Sequence, residues 1–218
     1  MFEYKNYVIL TKEKEGIDMK NLNRILIFLF IVIDGWYVYD HLSRGDMNRL
    51  EIALAVIPVL LAPWLIDKIL HYKMSETLKF VYYLFTFACV ILGSVLNLYN
   101  IPETRCFDKV THFISGFLTS IVALMILKCG KVKTEKKWFV PIFIILFSVG
   151  IAGIWEFFEY FMDMITGGDT QHALTTGVGD SMDDMLVATL ASILFSIYYY
   201  YQLHYAKKNQ IEMLEKHL

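Results

Sequence analysis

Positive charge is missing from one stretch of this chain: Gly150 to Asp184, GIAGIWEFFEYFMDMITGGDTQHALTTGVGDSMDD, contains no Lys or Arg. Charged residues of both signs make up only 19% of the 218, below the roughly 25% usual in soluble domains. The densest basic stretch, five Lys within residues 128–137, reads as the topological signal of a membrane protein and could also meet anionic lipid, and no nucleic-acid partner is expected. Cysteine is scarce too: Cys89, Cys106 and Cys129 lie in or beside three different segments without a CxxC pair. That excludes a disulfide framework and a thiolate metal or redox motif. Strand alternation and the turn spacing of an outer-membrane barrel are absent. So are low-complexity tracts, long linkers and a convincing internal repeat. The glycines at 167, 168, 177 and 179 match neither a P-loop nor a dinucleotide fingerprint, and tight turns account for them.

What remains is apolar. The chain is 56% hydrophobic and 16% aromatic, with a mean hydropathy of +0.47. Several runs reach the roughly 18 to 20 residues needed to cross a bilayer as helix. In lipid a helix satisfies its own backbone, so the expected fold is all-α, a polytopic transmembrane bundle. Six spans are predicted, at about 22–39, 52–70, 78–99, 110–127, 138–165 and 182–201, forming a membrane domain over 22–205. A leader over 1–21, without a cleavage-site pattern, precedes it and a polar tail over 206–218 follows.

Orientation follows from the basic residues. Sixteen of the twenty fall in the leader, at Arg24 in the start of span one, in the tail and in the connectors at 68–79 and 128–137, against Arg44, Arg49, Arg105 and Lys109 on the other side. The positive-inside rule then places both termini in the cytoplasm and the 166–179 connector outside. Trp138 and Tyr198–Tyr201 suit an inner aromatic belt, and Trp36 and Trp155 an outer one.

This topology brings polar residues to one depth. Span four opens outside with Asp108 and His112 at i and i+4, span six with Asp180 and Asp184 at the same spacing, and span five ends there with Glu156 and Glu159. Trp138 to Glu156 is eighteen residues, or about 27 Å of helix in a core about 30 Å thick. Two layers are expected: Asp108, Glu159 and Asp180 above, with His112, Glu156 and Asp184 one turn deeper. Asp184 is preferred to Asp183 because four residues return the helix nearly to the face of Asp180, whereas three fall about 60° short. Asp34, Asp40 and His41 of span one, and Asp169 and His172 of the outer loop, are further candidates.

The segments FDKVTHFISGF, GIWEFFEYF and GDSMDDMLVATLA resemble successive signatures of the YjdF-like family of bacterial inner-membrane proteins, over spans three to six. The resemblance implies a location in the bacterial cytoplasmic membrane and makes Asp108, His112, Glu156, Glu159, Asp180 and Asp184 the motif positions. A more distant similarity reaches the VanZ-like family, associated with glycopeptide-antibiotic resistance, through the DK-x-x-HF opening. The chain departs from that pattern at Ala188, where Asn is expected, and at Glu159, where Gln is expected.

A carboxylate inside a spanning segment costs at least about 2.5 to 3.5 kcal/mol, so the deeper residues must face each other or water. Such a cluster has two solutions. One is a divalent metal (Mg²⁺, Mn²⁺, Ca²⁺ or Zn²⁺) on Asp108, His112, Glu156, Glu159, Asp180 and Asp184. The other is shared protons, with His112, Glu156 and Asp184 as catalytic acids and bases. Arg105 and Lys109 are the nearby cations. The enzyme reading takes a lipid or cell-envelope small molecule as substrate beside the bilayer. The alternatives are a proton- or cation-coupled transporter and a noncatalytic assembly protein whose cluster is interhelical packing. Helix capping by Asp108 and Asp180 is the competing account of the upper layer.

Overall fold

The computed structural model describes residues 18–45, 50–69, 71, 73–101, 106–169 and 171–206. The described residues contain helices and turns and no strand. In order they form α1 (Met19–Ser43), α2 (Leu50–Ile69), α3 (Glu76–Phe87), α4 (Cys106–Cys129), α5 (Phe139–Thr166), the single turn α6 (Ala173–Thr176) and α7 (Gly179–His204). α3 runs on as a π-helix, Ala88–Val95, followed by a 3₁₀ turn, Leu98–Asn100.

Five stretches are long and apolar enough to cross a membrane: Met19–Ser43, Glu76–Val95, Cys106–Cys129, Phe139–Ile165 and Gly179–His204. α2 is a 20-residue helix at the place of the second predicted span but is not one of these five. Large apolar side chains point outward, among them Phe28, Leu186 and Ile197, as lipid contact requires. The leader up to residue 17, the tail from residue 207, Arg49 and Arg105 lie outside the described residues.

The helices pack as two groups of three. α1, α2 and α3 with its π-helical extension surround Phe30, Tyr37, Val56, Ile91 and Val95. α4, α5 and α7 surround Ala123, Leu124, Ile144, Phe195 and Tyr199. The groups meet where α4 passes the π-helix and the 3₁₀ turn.

Local chemistry explains several element ends. Asp18 caps α1 by accepting from the Lys20 and Asn21 amides, and Ser75 caps α3 through Leu78. Pro63, inside α2, removes the amide that would bond the Val59 carbonyl one turn back. The Tyr82 hydroxyl of α3 donates to that carbonyl at 2.9 Å. A neighbouring helix thus replaces the lost bond, as membrane helices with proline require.

The predicted third span, 78–99, ends early. The π-helix stops at Val95, and Asn97 takes a left-handed conformation with φ of 64°. Gly93 makes room for this ending, since a Cβ there would collide with the Tyr99 ring. Apolar periodicity reads straight through such a change of helical pitch, because the residues on both sides of it are equally apolar.

Candidate functional site

α4 and α7 cross closely because the residues between them are small. Gly116 of α4 faces Ala188 and Ala191 of α7, and a Cβ at Gly116 would strike the Ala188 carbonyl. Small residues at a crossing let two backbones approach, which is how membrane helices associate without a hydrophobic drive between them. Hydroxyls serve the rest of the group: Thr119 pairs with Ser148 of α5 at 2.7 Å, and Ser196 donates to the Pro141 carbonyl at 3.2 Å.

About two turns from Gly116, at the ends of α4 and α7 where the 166–179 connector lies, this approach assembles a charged cluster. Lys109 of α4 is at its centre: its Nζ lies 2.6 Å from Asp184 Oδ1, 2.7 Å from Asp180 Oδ1 and 3.2 Å from Asp108 Oδ2. The two shorter contacts have the length of charge-assisted hydrogen bonds. His112 Nε2 stands 3.5 Å from Asp108 Oδ1 and 3.8 Å from Asp184 Oδ1. Asp184 is buried, and Asp108, Lys109, His112 and Asp180 are half-buried. Asp183, one residue away, faces outward and is exposed.

Asp108, His112, Asp180 and Asp184 therefore meet. They do so around one lysine and not as two separate layers, because Asp184 reaches both Lys109 and His112. Glu159 stands at the edge, close enough to interact with His112 and Asp108 while its Oε1 accepts from Trp155 Nε1 at 2.8 Å. Glu156 interacts with Glu159 but has no contact with Lys109 or His112 among the described residues. It is buried beside the connector, where Gln171 Nε2 donates to its carbonyl at 2.9 Å and to its Oε2 at 3.4 Å. Asp180 is not an N-cap: Val178 holds that position in α7 without a side-chain bond. Asp108 lies in the first turn of α4, so both aspartates retain the favourable field of a helix start.

The other candidates have different surroundings. Asp169 accepts from the Leu174 amide at 2.9 Å and organises the turn into α6. His172 precedes α6 in a left-handed conformation with φ of 52°. Asp34, Asp40 and His41 belong to α1, which packs on α2 and α3. Gly167 and Gly177 have φ near 70° and provide the turns expected of them.

Two features escaped sequence reading. Lys109 was visible as a nearby cation, but its central place depends on α7 lying against α4. Gln171 carries no motif; the one available signal is that it is an amide inside a glycine-rich connector with a single acid, Asp169.

Chemically, Asp108, His112 and Asp184 each offer one ligand atom within 4.8 Å of the others. Two carboxylate oxygens and an imidazole nitrogen suit zinc or manganese, so this group is able to hold a metal. Lys109 already supplies positive charge to the same oxygens, and an ion among them has to displace its ammonium.

A bundle of long apolar helices with a polar cluster near one end defines a multi-pass membrane protein. The chain belongs to the family described as "Predicted membrane protein (DUF2238)", which matches residues 22–205. Nothing in the comparisons supports the more distant VanZ-like similarity. No curated protein and no solved structure matches the chain.

Proposed function

We propose that this protein is a YjdF-like enzyme of the bacterial cytoplasmic membrane, with six spans, both termini inside and the Lys109 cluster at the outer face. Its substrate is a lipid or cell-envelope small molecule that reaches the cluster from the outer leaflet. The supporting observation is Lys109 Nζ within 2.6, 2.7 and 3.2 Å of three carboxylates beside His112. Packing alone needs one counter-ion per buried charge, whereas three carboxylates facing one ammonium and one imidazole hold surplus capacity for protons or a second cation. His112 acts as general base, with Asp108 and Asp184 stabilising its protonated form and Lys109 holding Asp184 in place. Asp180 and Glu159 complete the electrostatic surround. A divalent ion on Asp108, His112 and Asp184 is the alternative form of the same site, with Lys109 displaced.

Mass spectrometry of envelope lipids and precursors tests this in a deletion strain complemented with wild type or His112→Ala. A species that accumulates in both the deletion and the His112→Ala strain is expected. Identical profiles in all three strains would sink the enzymatic reading. Elemental analysis of protein purified from native membranes separates the two forms of the site. Stoichiometric metal lost in His112→Ala and Asp184→Asn assigns the metal form, and metal-free active protein assigns the acid-base form.

A further inference from the structure

α5, α6 and α7 line an open cavity of about 720 Å³, a groove with one side free, at the same end of the bundle as the Lys109 cluster. That size falls within the range of small-ligand pockets, roughly 300 to 1,000 Å³. Phe157, Tyr160 and Phe161 form one wall, and Met182 and Met185 face them. Aromatic rings and thioethers adapt to an aliphatic chain without demanding one shape. Among the described residues the one charged lining residue is Glu156, which is 6% exposed. Ser181 and Met185, which directly follow Asp180 and Asp184, turn into the cavity, so it shares the first two turns of α7 with the cluster.

Glu156 is incompletely served by the protein. An ionised carboxylate accepts about four hydrogen bonds, and among the described residues Gln171 contributes one, at 3.4 Å. A buried charge is costly unless it is paired. No cation comes from this part of the chain: from Trp138 to Ala206 there are seven Asp and Glu and no Lys or Arg. The charge balance repels an anionic ligand, leaves Glu156 uncompensated with a neutral one, and favours a cation.

We propose that this cavity binds a lipophilic primary amine, with its ammonium donating to the Glu156 carboxylate and its aliphatic chain held among Phe157, Tyr160, Phe161, Met182 and Met185. The aromatic faces add cation–π attraction next to the head group. The proposal concerns binding alone and stands whether or not the Lys109 cluster is catalytic.

The test is equilibrium binding of radiolabelled dodecylamine to the full-length protein in phosphatidylcholine nanodiscs, with empty nanodiscs subtracted. Saturable, stoichiometric binding is expected, and dodecanol should not compete. Glu156→Gln should weaken binding about tenfold or more, the range of a charge-assisted hydrogen bond. Ser181→Phe, which fills the cavity and leaves Glu156 in place, should abolish it, and this variant carries the test if Glu156→Gln does not fold. No binding above empty nanodiscs, unchanged affinity in folded Glu156→Gln or Ser181→Phe, or equal competition by dodecanol overturns the proposal. The last outcome would make the cavity a groove for any acyl chain.

Discussion

Each half of this molecule places a lysine among carboxylates, and the two lysines differ in what their partners do besides. Lys79, in the first half, lies 3.0 Å from Asp67 and 3.8 Å from Glu76. Both acids have structural duties: Asp67 accepts from the Met74 amide at 2.7 Å, and Glu76 accepts from Asn23 of α1 at 3.0 Å. They tie a connector and a helix start to the neighbouring helices. Lys109, in the second half, is bonded to three carboxylates with His112 beside them. Among the described residues the side chains of these acids hold no connector in place. The contrast teaches that a lysine among acids is glue when each acid also closes a backbone or side-chain bond. It becomes a candidate site when the acids outnumber the cation and a titratable imidazole is present.

The strongest way to break the second half is at its crossing point. Gly116→Val should destabilise the protein by about 3 kcal/mol or more, because its side chain meets backbone that cannot move aside. Thermal unfolding in detergent reads the loss, and a melting temperature close to wild type would refute the close α4–α7 approach.

The two lysines can then be set against each other. Lys109→Met should cost about 2 kcal/mol, because it leaves three carboxylates, the buried Asp184 among them, without their cation, whereas Lys79→Met, which leaves two acids that keep their other bonds, should cost about 1. Added Zn²⁺ or Mn²⁺ should restore stability to Lys109→Met, by about 2.7 kcal/mol at a hundred times the dissociation constant, and leave Lys79→Met unchanged. Equal rescue of both variants, or of neither, would remove the distinction between the clusters.

Smaller effects sharpen the picture. Tyr82→Phe should cost about 1 kcal/mol through the bond to the Val59 carbonyl. In a Pro63→Ala background that cost should largely vanish, because the restored amide reclaims the carbonyl. A double-mutant cycle measures this coupling, and additive costs would show that the hydroxyl does not substitute for the missing amide. Smallest of all, Asp183→Asn should stay within about 0.5 kcal/mol, as for other surface changes. A larger loss than that of Asp184→Asn would reverse the assignment of the inward aspartate.

Much of this architecture was legible in one dimension. Runs of apolar residues announce membrane helices because lipid leaves no other use for them, and the helical repeat places Asp180 with Asp184 and Asp108 with His112. The same repeat put Glu156 with Glu159, and the two are close enough to interact, but their partners differ: Glu159 stands near His112, and Glu156 bonds to Gln171. Their offset of three residues leaves them only about 60° apart around the helix, so the difference lies in which neighbour each side chain meets and not in the helical repeat. The π-helix at Ala88–Val95 was invisible for another reason: it replaces one hydrogen-bond spacing by another without a change in composition.

The sequence by itself determined that the chain is helical, multi-pass and acidic at one end of its later helices, since hydropathy and charge are properties of single residues and their neighbours. Only the tertiary structure decided that α7 lies against α4 at Gly116, that Lys109 becomes the centre of the cluster, and that Glu156 faces a separate cavity. Those outcomes depend on which faces of different helices meet and how closely. That is settled by contact between residues such as Gly116 and Ala188, 72 positions apart in the chain.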